Sequence, residues 1–327
     1  MTMTSATLLH TPDLDAIRAA QSRIAGIALR TPLIRLNVDD APAEIYLKLE
    51  NLQPIGSFKV RPAANAILKL PAGQRAAGVY TASSGNMAQG VAYAARVLGI
   101  EGTVLLPTHA PQVKIDALQR LGARIRHLGD KDWWQVLINH GDPDQPGSFI
   151  HPVADNDVIA GDATVGAEII ADLPDVDTVI VPFGGGGLAV GVASAIRALK
   201  PNTRVLAAES DHCAPLTASL KAGKPVTVPG PKTFITGIGI GAVLEEMWPL
   251  LTNLLDGSVV ATLDEITQAI ALLFERNRVV AEGAGAAPVA SALAGRAGTG
   301  KVVCVVSGGN LHARQFIDVL KGKIPQA

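Results

Sequence analysis

The chain has 327 residues and sets 28 Lys+Arg against 29 Asp+Glu, a formal charge of -1, so no global field favours nucleic acid or an anionic membrane as partner. At 48% hydrophobic and 17% charged it is not a disordered chain and has the means to bury a large core, while 4% aromatics is too few for a base-stacking platform. Two distant cysteines, Cys213 and Cys304, argue against a disulfide scaffold, and neither sits in a CxxC pair or beside histidines at zinc spacing.

Residues 1–15 lack a basic segment followed by an apolar core, so the expected location is cytoplasmic. Thr11-Pro12 reads as the N-cap and first turn of an opening helix, with Leu14, Ile17, Ile24 and Ile27 at helical spacing. A strand over 45–49 and a helix over 62–70 follow, the latter just after Ser57-Phe58-Lys59. Next come strand 79–82, helix 87–98, strand 102–106, helix 111–121 and strand 124–128, a βαβαβ series. The Pro- and Gly-rich stretch 142–152 is a plausible domain crossing. A second series has strand 179–181, the turn Gly184 to Gly187, a helix through Leu199 and strand 205–208. The uncharged run 178–196 contains Pro182 and five glycines, which breaks it into strand, loop and helix and argues against a membrane span. Helices over 264–278 and 285–293 precede the apolar strand 302–306, short enough to be buried on both faces. The fold class is α/β, two lobes with mainly parallel twisted sheets sharing one cleft.

Four loops follow or flank these strands, where open α/β sheets place ligands: Ser57-Phe58-Lys59, Ser83-Ser84-Gly85-Asn86-Met87, Gly184-Gly185-Gly186-Gly187 and Ser307-Gly308-Gly309-Asn310. Four glycines before a helix free backbone amides to converge on a phosphate, although a strained turn alone would also call for glycine. Gly184, Gly186 and Ala189 also satisfy GxGxxA, with Glu209 ending the next strand, the pattern of a nicotinamide-dinucleotide oxidoreductase. That reading leaves Ser57-Phe58-Lys59 and Ser83 to Met87 unexplained. Partial burial beside Phe58 would lower the amine pKa of Lys59 and suit it to Schiff-base chemistry. Ser83, Ser84 and Asn86 read equally as caps of the next helix or as a carboxylate-binding turn.

Taken together, the stretch Glu50-Asn-Leu-Gln-Pro-Ile-Gly-Ser-Phe-Lys-Val-Arg61, Ser83 to Asn86, Gly184 to Leu188 and Ser307 to Asn310 resembles the fold-type II pyridoxal-phosphate enzymes of the serine/threonine dehydratase and serine racemase group, over nearly the whole chain. The resemblance implies a tryptophan synthase β-like architecture, with a large cofactor domain (1–50 and 152–327) and a small domain (51–151) closing over the substrate. It implies pyridoxal 5'-phosphate on Lys59, Phe58 against its ring and Asn86 on the ring hydroxyl. Gly184, Gly185, Gly186, Gly187 and Leu188 would hold the phosphate, Ser307 would face the pyridine nitrogen, and Glu282 would lie near the ring, though Glu282 also reads as a helix-entry acid. The substrate carboxylate would sit on Ser83, Ser84, Gly85, Asn86 and Met87, with Lys59 taking the α-proton. The implied reaction is β-elimination from a hydroxy amino acid to a 2-oxo acid and ammonia. A matching serine acts as the second proton donor in racemases of the group, so Ser84 keeps racemisation as an alternative. A homodimer is implied as well.

Several positions depart from the family pattern. Met87 stands where histidine is common, which would make that side of the pocket less polar, and Ile235-Thr236-Gly237 replaces Ala-Asp-Gly, removing an acid from the cleft side. Both point to a bulkier substrate, such as threonine, phenylserine or a hydroxyectoine-pathway intermediate. Glu209 matches one ligand of a divalent cation found in relatives, but the following Ser210 to Pro215 departs from the acidic spacing; Asp211 could substitute, though it reads better as a solvated loop acid. Only 17 residues follow Asn310, so an appended regulatory domain is not expected.

Overall fold

The computed structural model describes residues 8–327; the first seven, on which part of the reading of the amino terminus rests, lie outside the described residues. The chain runs α1 (Leu14–Ile24), β1 (Leu33–Arg35), β2 (Glu44–Lys48), α2 (Val60–Lys69), α3 (Ala72–Ala76), β3 (Val79–Ala82), α4 (Asn86–Val97), β4 (Gly102–Pro107), α5 (Gln112–Arg120), β5 (Arg124–Leu128), α6 (Asp130–Ile138) and β6 (Ser148–Phe149). It continues through α7 (Asn156–Asp172), β7 (Thr178–Pro182), α8 (Gly187–Leu199), β8 (Arg204–Ser210), α9 (Pro215–Ala222), α10 (Trp248–Leu254), β9 (Ser258–Ala261), α11 (Leu263–Asn277), α12 (Gly283–Leu293), β10 (Lys301–Val305) and α13 (Ala313–Leu320).

Two sheets result. The larger has the order β1-β2-β10-β7-β8-β9 and the smaller β5-β4-β3-β6. Every pairing is parallel except the β1–β2 edge, as expected for an α/β chain of alternating strands and helices. The apolar run of β10 is buried on both faces: Val302 and Cys304 join one hydrophobic cluster, Val303 and Val305 another. The uncharged segment at 178–196 divides into β7, a glycine turn and α8, and no helix among the described residues is long and apolar enough to cross a membrane.

Two boundaries shift from expectation in ways that matter. The first helix is capped by Asp13, whose side chain accepts from the Ala16 amide, rather than by Thr11; Ile17, Ala20 and Ile24 form its buried face. Helix α2 begins at Val60, so Lys59 is its N-cap residue and leaves the turn already helical, with φ −60° and ψ −15°. The sequence pattern gives no sign of α7, a 17-residue helix buried over most of its length against α8. The two approach through glycine: a Cβ on Gly166 would lie 2.6 Å from the Val192 carbonyl oxygen, and one on Gly191 2.6 Å from the Asp162 Cβ.

Candidate active site

The start of the helix that follows Lys59 is held by a buried ionic network. Arg61, 1% exposed, donates to both Glu50 (2.8 Å) and Glu168 (2.7 Å), and Lys48 donates to Glu168 at 2.6 Å. Burial alone would raise the carboxyl pKa of Glu50, but the Arg61 guanidinium holds it below the ordinary range. Two residues before Arg61, the Lys59 amine donates to the Pro152 carbonyl at 2.6 Å and lies 5.0 Å from the Phe58 ring centroid. Burial lowers its pKa, with the Asp162 carboxyl opposing. Helix α4, which follows Ser83 to Gly85, closes on this turn because Gly90 has no side chain; a Cβ there would stand 2.6 Å from the Lys59 carbonyl oxygen.

The loop after β10 is zipped to the lysine turn. The Phe58 amide donates to the Ser307 carbonyl, the Gly309 amide donates to the Gly56 carbonyl, and Ser57 bridges Gly308. Ser307 is buried at the end of its strand. From the start of α4, the Asn86 side-chain amide donates to Glu282 at 2.8 Å and its carbonyl accepts from Asn310 at 2.8 Å, so one contact set joins the small-sheet side to the large-sheet side. Glu282 is the N-cap of α12 but makes no side-chain cap bond; its carboxyl is pushed up to about 7 by burial, against the pull of Asn86. Lys114 of α5 also faces it, its own pKa lowered by burial.

Gly184 to Gly187 turn β7 into α8. Gly186 has φ +96° and α8 has no side-chain cap, so the first amides of a 13-residue helix are left for a ligand. A Cβ on Gly184 would meet the Gly237 carbonyl at 2.5 Å, and one on Gly185 the Val153 side chain at 2.5 Å. Helix α7 runs under the loop, and the Asp162 carboxylate lies 3.2 Å from where a Cβ of Gly187 would be. These contacts bring the four loops expected to form the site close to one another, with Leu188 buried at the first turn of α8.

Some expectations need correction. The Met87 side chain is 2% exposed and belongs to one hydrophobic cluster with Ile55, Val60 and Val91, so its thioether is part of the core beneath the loop and not an exposed pocket surface. Glu209 has a part in the fold that the sequence does not announce: its carboxylate accepts from the amides of Leu216 and Thr217, each at 2.8 Å, and from the Thr217 hydroxyl at 2.6 Å, at the start of α9. Among the described residues, the ligand atoms of His140, His151 and Glu246 lie within 4.8 Å of one another. The His151 Nδ1 already accepts from the amides of Val153 and Ala154, however, and burial drives the ring's pKa down to about 3. That arrangement is a neutral, hydrogen-bonded histidine beside a surface His–Glu contact.

A lysine amine at the cleft, a glycine turn with free amides and a buried serine at the end of the neighbouring strand form a set, and the chain matches the pyridoxal-phosphate dependent enzyme family over residues 24–308. The chain belongs to that family. This pyridoxal-phosphate-dependent enzyme is 40% identical over 310 residues to the L-threonine ammonia-lyase of Thermotoga maritima, covering 93% of this chain and 77% of that protein. Its structure is similar to that of maize serine racemase, with a TM-score of 0.85 at 32% identity over 95% of this chain and 98% of that one. It is also similar to the T.th. threonine deaminase, with a TM-score of 0.83 at 34% identity over 92% and 99% of the two chains. The fold is thus that of the fold-type II pyridoxal-phosphate enzymes, in the serine/threonine dehydratase and serine racemase group. The residues present fit the cofactor: the uncapped amides of α8 suit its phosphate, and Lys59 supplies an amine of lowered pKa.

Proposed function

We propose that the protein is an ammonia-lyase that removes the β-hydroxyl group and the amino nitrogen of a β-hydroxy amino acid, leaving a 2-oxo acid and ammonia. The observation that carries this reading is the Lys59 amine, partly buried and lowered in pKa at the junction of four loops. Its lowered pKa enlarges the neutral fraction, which is the form able to accept the α-proton. Bound pyridoxal 5'-phosphate supplies the electron sink for that proton's removal. In this proposal Gly184 to Leu188 hold the phosphate, Phe58 flanks the ring, Asn86 and Glu282 orient its hydroxyl side, and Ser307 faces the pyridine nitrogen. A hydroxyl at that nitrogen does not keep it protonated as a carboxylate would, which favours loss of the β-hydroxyl over wider delocalisation. Ser83, Ser84, Gly85 and the amides of Asn86 and Met87 receive the substrate carboxylate.

Residues 51–151 serve, on this reading, as a small domain closing over the substrate, with 1–50 and 152–327 holding the cofactor. The sheet memberships support the split, since β3 to β6 form one sheet and all other strands the other. Substrate breadth is argued from the segment at 235–237. Ile235 is buried against Gly283, while Thr236 is exposed beside Gly237, whose carbonyl abuts Gly184. A neutral Thr236 at that rim favours threonine or a β-aryl-serine over an amino acid with a cationic side chain. Racemisation through Ser84 is the second reading, favoured by the likeness to maize serine racemase.

Serine, threonine, phenylserine and 3-hydroxyaspartate in both configurations separate the two, with oxo acid, ammonia and enantiomer exchange measured together. Oxo acid without exchange is expected; exchange alone contradicts the lyase. Lys59→Ala is expected to lower turnover by more than about 10³-fold while the fold is retained; full turnover in that variant contradicts the assignment of Lys59.

A further inference from the structure

Asp162 lies wholly inside the molecule on α7, 0% exposed, and neither of its carboxylate oxygens has a hydrogen-bond partner. A bare buried carboxylate is so costly that such groups hold a proton or find a cation. The surroundings decide which. The charged groups that face it are Lys59 and Arg61 from α2 and its turn, which favour ionisation, and Glu50, which opposes it; α8 approaches it through the glycines at 187 and 191. Arg61 is already committed to Glu50 and Glu168, and the Lys59 amine donates to Pro152. Burial outweighs these charges and pushes the carboxyl up to about 7.

What lies above the carboxyl group gives it a use. Its Oδ2 lies 3.2 Å from where a Cβ of Gly187, the first residue of α8, would be, and the Val153 carbonyl oxygen lies 3.4 Å from the same point, next in the chain to the Pro152 carbonyl that accepts from Lys59. A phosphate monoester held by the Gly184–Gly187 amides would bring close to two negative charges at neutral pH to the turn that this carboxyl group adjoins at Gly187. We propose that Asp162 is a positioning residue of the anion cradle, which takes up a proton as a phosphate monoester binds, so that the acid donates a hydrogen bond toward the anion instead of repelling it. The proposal rests on the reading of Gly184–Gly187 as the phosphate cradle.

The test uses the full chain with pyridoxine 5'-phosphate, which has no aldehyde to join Lys59, and pyridoxine as the probe without phosphate. Dissociation constants are measured calorimetrically between pH 7.5 and 9, in buffers of different ionisation enthalpy so that protons are counted. Above pH 7.5 the phosphate itself, whose second pKa is about 6, contributes little. Wild type is expected to take up close to one proton more than Asp162→Asn at pH 8. Its dissociation constant should rise with pH more steeply than that of the variant, by up to about tenfold per unit. Asp162→Ser, which removes the carboxyl group with a smaller side chain, should behave like Asp162→Asn. Equal proton counts and parallel pH slopes overturn the proposal, and so does wild-type binding without proton uptake at pH 8, whether or not either variant folds. If wild type binds pyridoxine as tightly as its phosphate ester, the cradle reading fails and the role of Asp162 falls with it.

Discussion

At the scale of single residues, the candidate site depends on side chains that never meet solvent. Arg61 is the clearest case. It lies two residues after the lysine and ties the start of α2 to Glu50 before it and to Glu168 on α7. Arg61→Met would leave the fully buried Glu50 with only Thr31 and Gln53 as close partners. Losing one partner of a buried pair typically costs about 3–5 kcal/mol. The denaturation midpoint should fall accordingly, with Arg61→Lys falling less because the charge is kept; an unchanged midpoint would show that the network does not hold the turn. The pairing is not legible in the sequence: Arg61 appears there only as the last residue of the stretch from Glu50, and Glu168, Lys114 and Asp162 carry no local pattern and acquire meaning from partners tens of residues away. Lys59, Ser84, Asn86 and Ser307 are legible because each sits in a Gly- or Ser-rich turn between a strand and a helix. Met87 shows the limit of that reading: the sequence places it at the loop, but only the packing of α2 on α4 turns its side chain inward.

At the scale of elements, seven of the ten strands are read close to their observed bounds, whereas the short β1, β6 and β9 and the long helix α7 are not read at all. Its buried residues include Val158, Ile159, Ala160, Gly161, Ala163, Val165, Gly166, Ala167 and Ile169, apolar or small on every side, so no amphipathic period emerges. The same enclosure makes its contact with α8 intolerant of volume. Gly191→Ala would improve helix propensity by about 1 kcal/mol, but the new methyl would stand 2.6 Å from the Asp162 Cβ and 2.8 Å from the Ala163 amide nitrogen. Overpacking of this kind costs about 1–3 kcal/mol, so the melting temperature should fall. Gly73→Ala in α3, where nothing lies within 4 Å of the new methyl, should be neutral or mildly stabilising. A fall at position 73 equal to that at 191 would contradict the contact argument.

At the scale of the whole molecule, β10 inserts between β2 and β7, so strands from both ends of the chain meet in one sheet, and the loop after β10 is carried back to the lysine turn at Gly56 and Phe58. The Asn86 contacts with Glu282 and Asn310 bring the end of the smaller sheet to the same place. The alternation of strands and helices foretells two parallel sheets; it does not foretell their strand orders, because pairing between residues about 250 positions apart leaves no local trace. The central claim is that this meeting point places the Lys59 amine, and no other, against the cofactor. Borohydride reduction of the purified, cofactor-loaded protein followed by peptide mass spectrometry tests it most directly. The pyridoxyl phosphate group should be found on Lys59 and be absent from Lys59→Ala; a group fixed to another lysine, or one that persists in the variant, would contradict the account.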